Sequence, residues 1–387
     1  MNFTRLTAYL DSFYHEKNIP GVGCAVYFQH KPVYEHYAGF ADVGNKVPFA
    51  RDTLFNLYSA TKLVTCTAAS QLIEQGKIKL TDPLYEYIPE YRQMSVRDTK
   101  PDGTQAFREA RTAITIEHLF SMQGGIDGDR TAPAVKHVIE HSDGRAPTVD
   151  VVRAMAQTPL MFEPGTHFKY GICHDVLGAL VEVVSGKRFG QYLLDNILLP
   201  LGMTDTDFRL PPEKEKRMAL HYAGFHADTG TSDSIGETYV LNPGTQYESG
   251  GGALLSCVRD YILFAEMLCN GGVGVNGARI LQRETIDDMR TNRLKGAALE
   301  DFSKFGGWSK GGYGYGLGAR TLINREKNNA LSENGEFGWD GARGCYVVVD
   351  PDAQVALFYA QQEAGSTWWD WHGTVRNMAY ASIWADR

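Results

Sequence analysis

The chain has 387 residues, 43% of them hydrophobic and 22% charged, the composition of an ordinary globular protein long enough to bury a large core. Its 38 basic and 46 acidic side chains leave a net charge of −8 with no Lys/Arg cluster, which argues against a nucleic-acid partner. The six cysteines form no C-x-x-C pair and sit mostly in apolar runs, a usage that fits buried, reduced thiols and a cytoplasmic setting.

At the N-terminus, Phe3, Leu6, Tyr9, Leu10 and Phe13 recur at helical spacing. They predict an amphipathic helix packed on the fold rather than a signal peptide, although prior removal of a leader would be compatible with export. No apolar stretch approaches the roughly 18 residues of a membrane span. Residues 20–40 alternate through Val22, Cys24, Val26 and Phe28, break at Gln29-His30-Lys31-Pro32 and resume at Val33, which predicts a hairpin. A helix is expected from Ser59 to about Gln75, with Gly76 ending it.

Residues 80–200 read as mostly helical, with a helix start at Thr115–Phe120 and a helix over Asp175–Ser185 closed by Gly186. Residues 224–252, rich in Gly, Ser, Thr and Asp, read as a long loop. Strands are expected over Tyr313–Leu322, Cys345–Val349 and Val355–Ala360, with a tight turn at Asp350-Pro351-Asp352 and a closing helix over Asp370–Trp384. The tryptophans of Trp368-Trp369-Asp370-Trp371 read as packing residues of that helix, and the Gly-rich run Gly311–Gly318 is not a nucleotide loop, because no helix pattern follows it. Strands at both ends around a helical middle predict an α+β fold interrupted by an α-rich insertion.

The strongest chemical signal is Ser59-Ala60-Thr61-Lys62, the only S-x-x-K in the chain. Residues three apart share a helix face, so the Lys62 amine can reach the Ser59 hydroxyl. A serine is a weak nucleophile until a base takes its proton, and a lysine held among other donors gives up its own proton more readily. No HExxH, Walker loop or clustered Cys/His set is present, so neither a metal nor a cofactor is expected.

Around this motif the chain resembles the class C serine β-lactamases, the DD-peptidases and the family VIII carboxylesterases, from about Ile19 to about Trp384. Shared stretches appear in the family's order: Ala38-Gly39-Phe40-Ala41-Asp42, Thr115-Ile116 with His118-Leu119, Glu163-Pro164-Gly165, Leu177-Gly178, Pro200-Leu201-Gly202-Met203 and Ser249–Ser256. The resemblance implies a β-lactamase/transpeptidase-like fold, with an antiparallel sheet flanked by helices and built from residues 1–80 and 205–387. A mainly helical domain would span 81–204, with the active site between the two. It assigns Tyr170 the role of the tyrosine that passes a proton between nucleophile and leaving group.

Three positions depart from the family. Trp339-Asp340-Gly341 stands where Lys-Thr-Gly or His-x-Gly is usual, Ile172 replaces the asparagine of Y-x-N, and Met122-Gln123-Gly124-Gly125 replaces His-Thr-Ser-Gly. Gly341 still permits close approach of substrate to the backbone, and the Ala342 amide with that of Ser59 would form an oxyanion hole. Trp339 removes the cation that anchors a lactam or peptide carboxylate, Asp340 adds a negative charge, and Ile172 removes an amide partner. Arg343 and Lys310 are alternative carboxylate anchors near this motif, a solvated surface charge being the preferred reading of each. The expected enzyme hydrolyses short-chain carboxylic esters through an acyl-enzyme, with Ser59, Lys62 and Tyr170 catalytic. Gln123, Ile172, Trp339, Asp340, Gly341 and Ala342 are expected to line the substrate site, with a small-molecule ester or lactam as substrate and the oligomeric state left open. The alternatives are a β-lactamase or DD-peptidase, and a non-catalytic binding protein on the same fold.

Overall fold

The structure is a computed structural model, described over residues 1–129, 131–236, 246–305, 311–367 and 369–385. Helix α1 (Thr4–Asp11) buries Leu6 and Leu10, and Phe13 is buried just beyond it, as the helical spacing predicts. Strands β1 (Gly21–Phe28) and β2 (Lys31–Asp42) form the hairpin. Its two turn residues, Gln29 and His30, both take positive φ (50° and 61°), the backbone that a two-residue hairpin turn demands. The short strand β3 (Val47–Pro48) follows.

Helix α2 (Thr61–Glu74) starts two residues later than expected. Tyr58–Ala60 form a 3₁₀ turn, so Ser59 lies in the tight turn leading into the helix rather than in the helix itself. In the helical middle, Thr115 caps the helix Ile116–Phe120, its hydroxyl accepting the His118 N–H at 3.3 Å. Helix α3 (Cys173–Ser185) stops at Gly186, whose φ of 69° is the left-handed terminator.

The long loop expected over 224–252 is corrected: His221–His226 and Thr231–Gly236 pair as an antiparallel hairpin. The second of these strands carries Ser232, Asp233 and Ser234 and is mostly exposed, so no apolar alternation marks it in the sequence. Residues 237–245 lie outside the described residues. Helix α4 (Val258–Cys269) comes next. The single strand expected over Tyr313–Leu322 is two, β4 (Tyr313–Tyr315) and β5 (Arg320–Leu322), paired antiparallel. The chain reverses between them with Gly318 at φ 88°. Strands β6 (Phe337–Gly338), β7 (Tyr346–Asp350) and β8 (Val355–Gln361) and helix α5 (Trp369–Ile383) complete the chain.

The eight strands form one antiparallel sheet in the order β4-β5-β6-β7-β8-β1-β2-β3, so its centre joins the two ends of the chain. Over β1, β7 and β8 both faces are buried, and period-2 alternation sorts their side chains between two apolar layers, while β2 and β3 at one edge are largely exposed or half-buried. On β8, Ala356, Phe358 and Ala360 join the layer shared with α2 and α4, while Val355, Leu357 and Tyr359 join the layer under α1 and α5. Trp371 packs in the second layer and Trp369 is partly exposed; Trp368 lies outside the described residues. All six cysteines are buried and unpaired as disulfides, and among the described residues no helix is long and apolar enough to cross a membrane.

Phe358 is fully buried between Tyr261 (ring centroids 4.5 Å apart) and Phe55 (6.1 Å). Phe358→Ala should cost about 3–5 kcal/mol through lost transfer energy and the cavity left behind. The check is the shift of the urea midpoint against wild type; a shift under about 1 kcal/mol would contradict this packing.

Candidate active site

The segment before Ser59 is strained. Tyr58 is buried with φ 47°, a region that non-glycine residues seldom adopt. The structure holds it there by side-chain bonds: His221 Nδ1 lies 3.2 Å from the Tyr58 hydroxyl, and Arg343 Nε donates to the same oxygen at 3.2 Å. The amides of Asn56 and Gln362 both lie 2.7 Å from His221 Nε2, so that nitrogen accepts and Nδ1 carries the proton. Burial, followed by the Arg343 charge, pushes His221 down to about 4, so the ring is neutral at physiological pH. Ser59 itself stays half-exposed in this turn.

One turn along, Lys62 is only 3% exposed and points back at the serine. Its Nζ donates to Ser59 Oγ at 3.2 Å and to the Gly251 carbonyl. The ammonium also lies 4.7 Å from the centroid of the Tyr170 ring, over its face. The three residues expected to act together are therefore gathered in one place, from the chain's first third and its helical middle.

Trp339 packs directly on Tyr170. Its indole N–H donates to the Tyr170 hydroxyl at 3.1 Å, and its ring stacks on Tyr170 with centroids 5.5 Å apart. Phe305 stacks on the same tyrosine at 4.8 Å, and Tyr315 meets Trp339 edge-on at 5.0 Å. The tryptophan that fills the place of a cation thus also fixes the phenol.

Gly341 lies hard against the turn that carries Ser59: a β-carbon there would be 2.4 Å from the Leu57 carbonyl oxygen and 2.5 Å from Cys345 Sγ. Only glycine allows this contact, which sets the exposed Ala342 beside the serine turn. Asp340 is buried across the ladder from Tyr346, and its charge acts on Cys345, Tyr346 and the buried Arg320. Arg343, read from sequence as a solvated charge, is half-buried and committed to Tyr58; Lys310 lies outside the described residues.

Gln123 and Ile172 are both buried. The Gln123 amide donates to Ser121 Oγ at 2.8 Å, and Ile172 packs against the backbone at Gly128, where a β-carbon would lie 2.6 Å from its Cγ2. Sequence reasoning missed Tyr58, His221 and the Gly251 carbonyl. Gly251 lies in the run Ser249–Ser256, which resembles the family but carries no side chain to suggest a role. Among the described residues one trio, Asp205, Cys257 and Asp260, has metal-ligand spacing. Although burial opposes it, bonds from Lys214, Arg217 and Arg259 bring Asp205 down to about 2, and burial drives the Cys257 thiol up to about 12. This is an ion-pair cluster whose acceptors are already taken.

Comparison with known proteins gives the family and fold. The profile of the Beta-lactamase family matches residues 6–369. The chain is 32% identical over 349 residues to protein Rv1367c of Mycobacterium tuberculosis, covering 89% of this chain and 86% of that protein. It is 26% identical to esterase EstB of Burkholderia gladioli, again covering 89% and 86%. Among solved structures, EstCE1, described as a hydrolase with promiscuous acyltransferase activity, superposes with a TM-score of 0.79 at 24% identity over 98% of both chains. A family match running through nearly the whole chain, over a fold shared at this level, makes this protein a member of the β-lactamase family of serine hydrolases.

Proposed function

We propose that the protein hydrolyses short-chain carboxylic esters by two-step acyl transfer, in a cleft between the unit formed by 1–80 with 205–387 and the helical unit 81–204. The observation that carries this reading is the Lys62–Ser59 hydrogen bond at 3.2 Å, made to an accessible serine in a turn that Tyr170 faces. Ser59 Oγ attacks the ester carbonyl and its proton passes to the Lys62–Tyr170 pair. The amides of Ser59 and Ala342 receive the oxyanion, each such donor being worth on the order of 100–1000-fold in rate. Tyr170 returns the proton to the departing alkoxide, the C–O bond breaks, and water repeats the sequence on the acyl-enzyme.

The ester preference rests on Trp339. A β-lactam or peptide brings a carboxylate that must be desolvated on docking, and without a paired cation that burial is costly. Here the indole stacks on Tyr170 and Arg343 is engaged by Tyr58. Resemblance to an esterase supports the same choice. A cytoplasmic setting is part of this reading, on the six free, buried thiols.

Three outcomes are expected. A fluorophosphonate probe should label wild type at Ser59, and Ser59→Ala should lose labelling and roughly a million-fold in kcat; normal ester turnover by that variant would end the assignment. Lys62→Ala with Tyr170→Phe should be little slower than the poorer single variant, because a shared proton-transfer unit is lost only once. Multiplicative losses in folded proteins would argue for separate roles. Wild-type kcat/KM should be higher for p-nitrophenyl butyrate than for nitrocefin, and Trp339→Lys should move that ratio toward the lactam. The reverse ranking in wild type would favour a β-lactamase.

A further inference from the structure

Asp175 lies five residues after Tyr170, near the start of α3, and is 3% exposed. Its Oδ1 accepts from the Tyr247 hydroxyl at 2.8 Å and from Ser249 Oγ at 2.5 Å. Its Oδ2 lies 2.5 Å from the point that a β-carbon on Gly251 would occupy, and the same point is 3.5 Å from Lys62 Nζ. Carboxylate and ammonium are therefore within about 6 Å of one another, on a side of Gly251 where a glycine leaves nothing between them. The next carbonyl back, Gly250 O, is held by Thr65 Oγ1 at 2.7 Å, one turn along α2 from Lys62.

The other titratable groups around Lys62 are uncharged at neutral pH or turned elsewhere. On α2, burial pushes the Cys66 thiol up; on α3, burial raises Cys173 to about 12 and lowers His174 to about 3. Tyr315 on β4 is raised by burial, and the carboxylate of Glu248 faces Arg188 and the Gly190 amide. Asp340 lies beyond Trp339, within the field of Arg320. The negative charge nearest the ammonium on the Gly251 side is that of Asp175.

We propose that Asp175 is a positioning residue with two effects: its carboxylate is the buried counter-charge of Lys62, and through Tyr247 and Ser249 it holds the Gly251 carbonyl on the lysine. The proposal rests on the reading of Lys62 and Tyr170 as the proton-transfer pair. It explains why a loop without catalytic side chains, 247–252, packs against the base: the loop delivers a carbonyl, and Asp175 fixes its height. Two charges at this separation in a partly desolvated site interact strongly enough to move a titration by on the order of one pH unit or more. The sign follows directly. A nearby anion favours the protonated pair, so its removal makes proton loss easier and moves the acid limb of Ser59 reactivity to lower pH, whichever member of the pair holds the remaining proton.

The test measures the second-order rate of fluorophosphonate labelling of Ser59 against pH in the full chain, with a thermal melt of each variant. Asp175→Asn keeps an oxygen for both hydroxyls and removes the charge; its acid limb should fall by about one pH unit or more. Asp175→Glu should keep the wild-type limb. Tyr247→Phe with Ser249→Ala keeps the charge and frees the loop, and should slow labelling about tenfold or more with the limb unmoved. An Asp175→Asn limb that coincides with wild type overturns the counter-charge, and an unslowed Tyr247→Phe/Ser249→Ala variant overturns the positioning. A melting-temperature cycle with Lys62→Met decides the case where Asp175→Asn folds poorly: coupled charges require the Lys62→Met/Asp175→Asn double variant to be more stable than additivity predicts. An additive loss, or a double variant that also fails to fold, overturns the pairing. Absence of Ser59 labelling in wild type is failure of the hydrolase reading, and the melting cycle still judges the Lys62–Asp175 pair by itself.

Discussion

An ammonium group removed from water governs this architecture. Lys62 is almost wholly buried, and an ionised amine in that position needs several acceptors to replace its hydration. The acceptors come from three separate stretches: the Ser59 hydroxyl one turn back, the Gly251 carbonyl some 190 residues on, and the face of the Tyr170 ring. Satisfying one lysine therefore requires the nucleophile turn, the helical middle and the loop before α4 to converge. The same convergence places a half-exposed serine within hydrogen-bond reach of the lysine amine.

A second constraint acts from the sheet. The third motif must touch the nucleophile turn, and that contact is backbone against backbone, with Gly341 over the Leu57 carbonyl and Cys345 Sγ donating to the same oxygen at 3.2 Å. The register of the ladder at this point is locked by a buried cation. Arg320 donates to the Val347 carbonyl at 2.9 Å, and the Val347 amide bonds the Trp339 carbonyl at 2.8 Å. Glu336 faces both Arg320 and Arg376 of α5 and accepts from the Tyr313 hydroxyl at 2.8 Å. A buried cluster of this kind adds little net stability, but it disfavours any register that separates its charges. Strain at Tyr58, held by His221 and Arg343, is the local counterpart of this wide scaffold.

How much of this was legible in the sequence depended on what carried the signal. Helix α1 was readable from its apolar spacing, and β1 and β8 because both of their faces are covered and nearly every residue is buried and apolar. The hairpin over 221–236 was not, since its second strand is polar and exposed and is held by ladder bonds that sequence does not display. The division at Gly318 was likewise hidden in a run where glycine serves strand and turn alike. In the site, Ser59, Lys62 and Tyr170 stood out because their chemistry lies in side chains at fixed spacing. The contribution of Gly251 is a carbonyl, which every residue possesses, and that of Tyr58 is a dihedral angle. Trp339 was legible as a missing cation but not as a donor to Tyr170, because the partner lies 169 residues away.

On the proposed reading, the position of Trp339 ties specificity to catalysis. In a site where a lysine anchors the substrate carboxylate, that side chain recognises the substrate and the tyrosine is oriented by its neighbours. Here one side chain removes the anchor, covers one flank of Tyr170 and supplies an N–H to its oxygen. The indole is rigid and shielded by Tyr315, so it holds this bond at small entropic cost. Replacing it by a flexible cation would supply the anchor while loosening the phenol, and only a substrate that itself braced Tyr170 would recover the loss. On the proposed reading, the contact that holds Tyr170 also decides whether a substrate carboxylate finds an anchor, so a change of one draws the other with it.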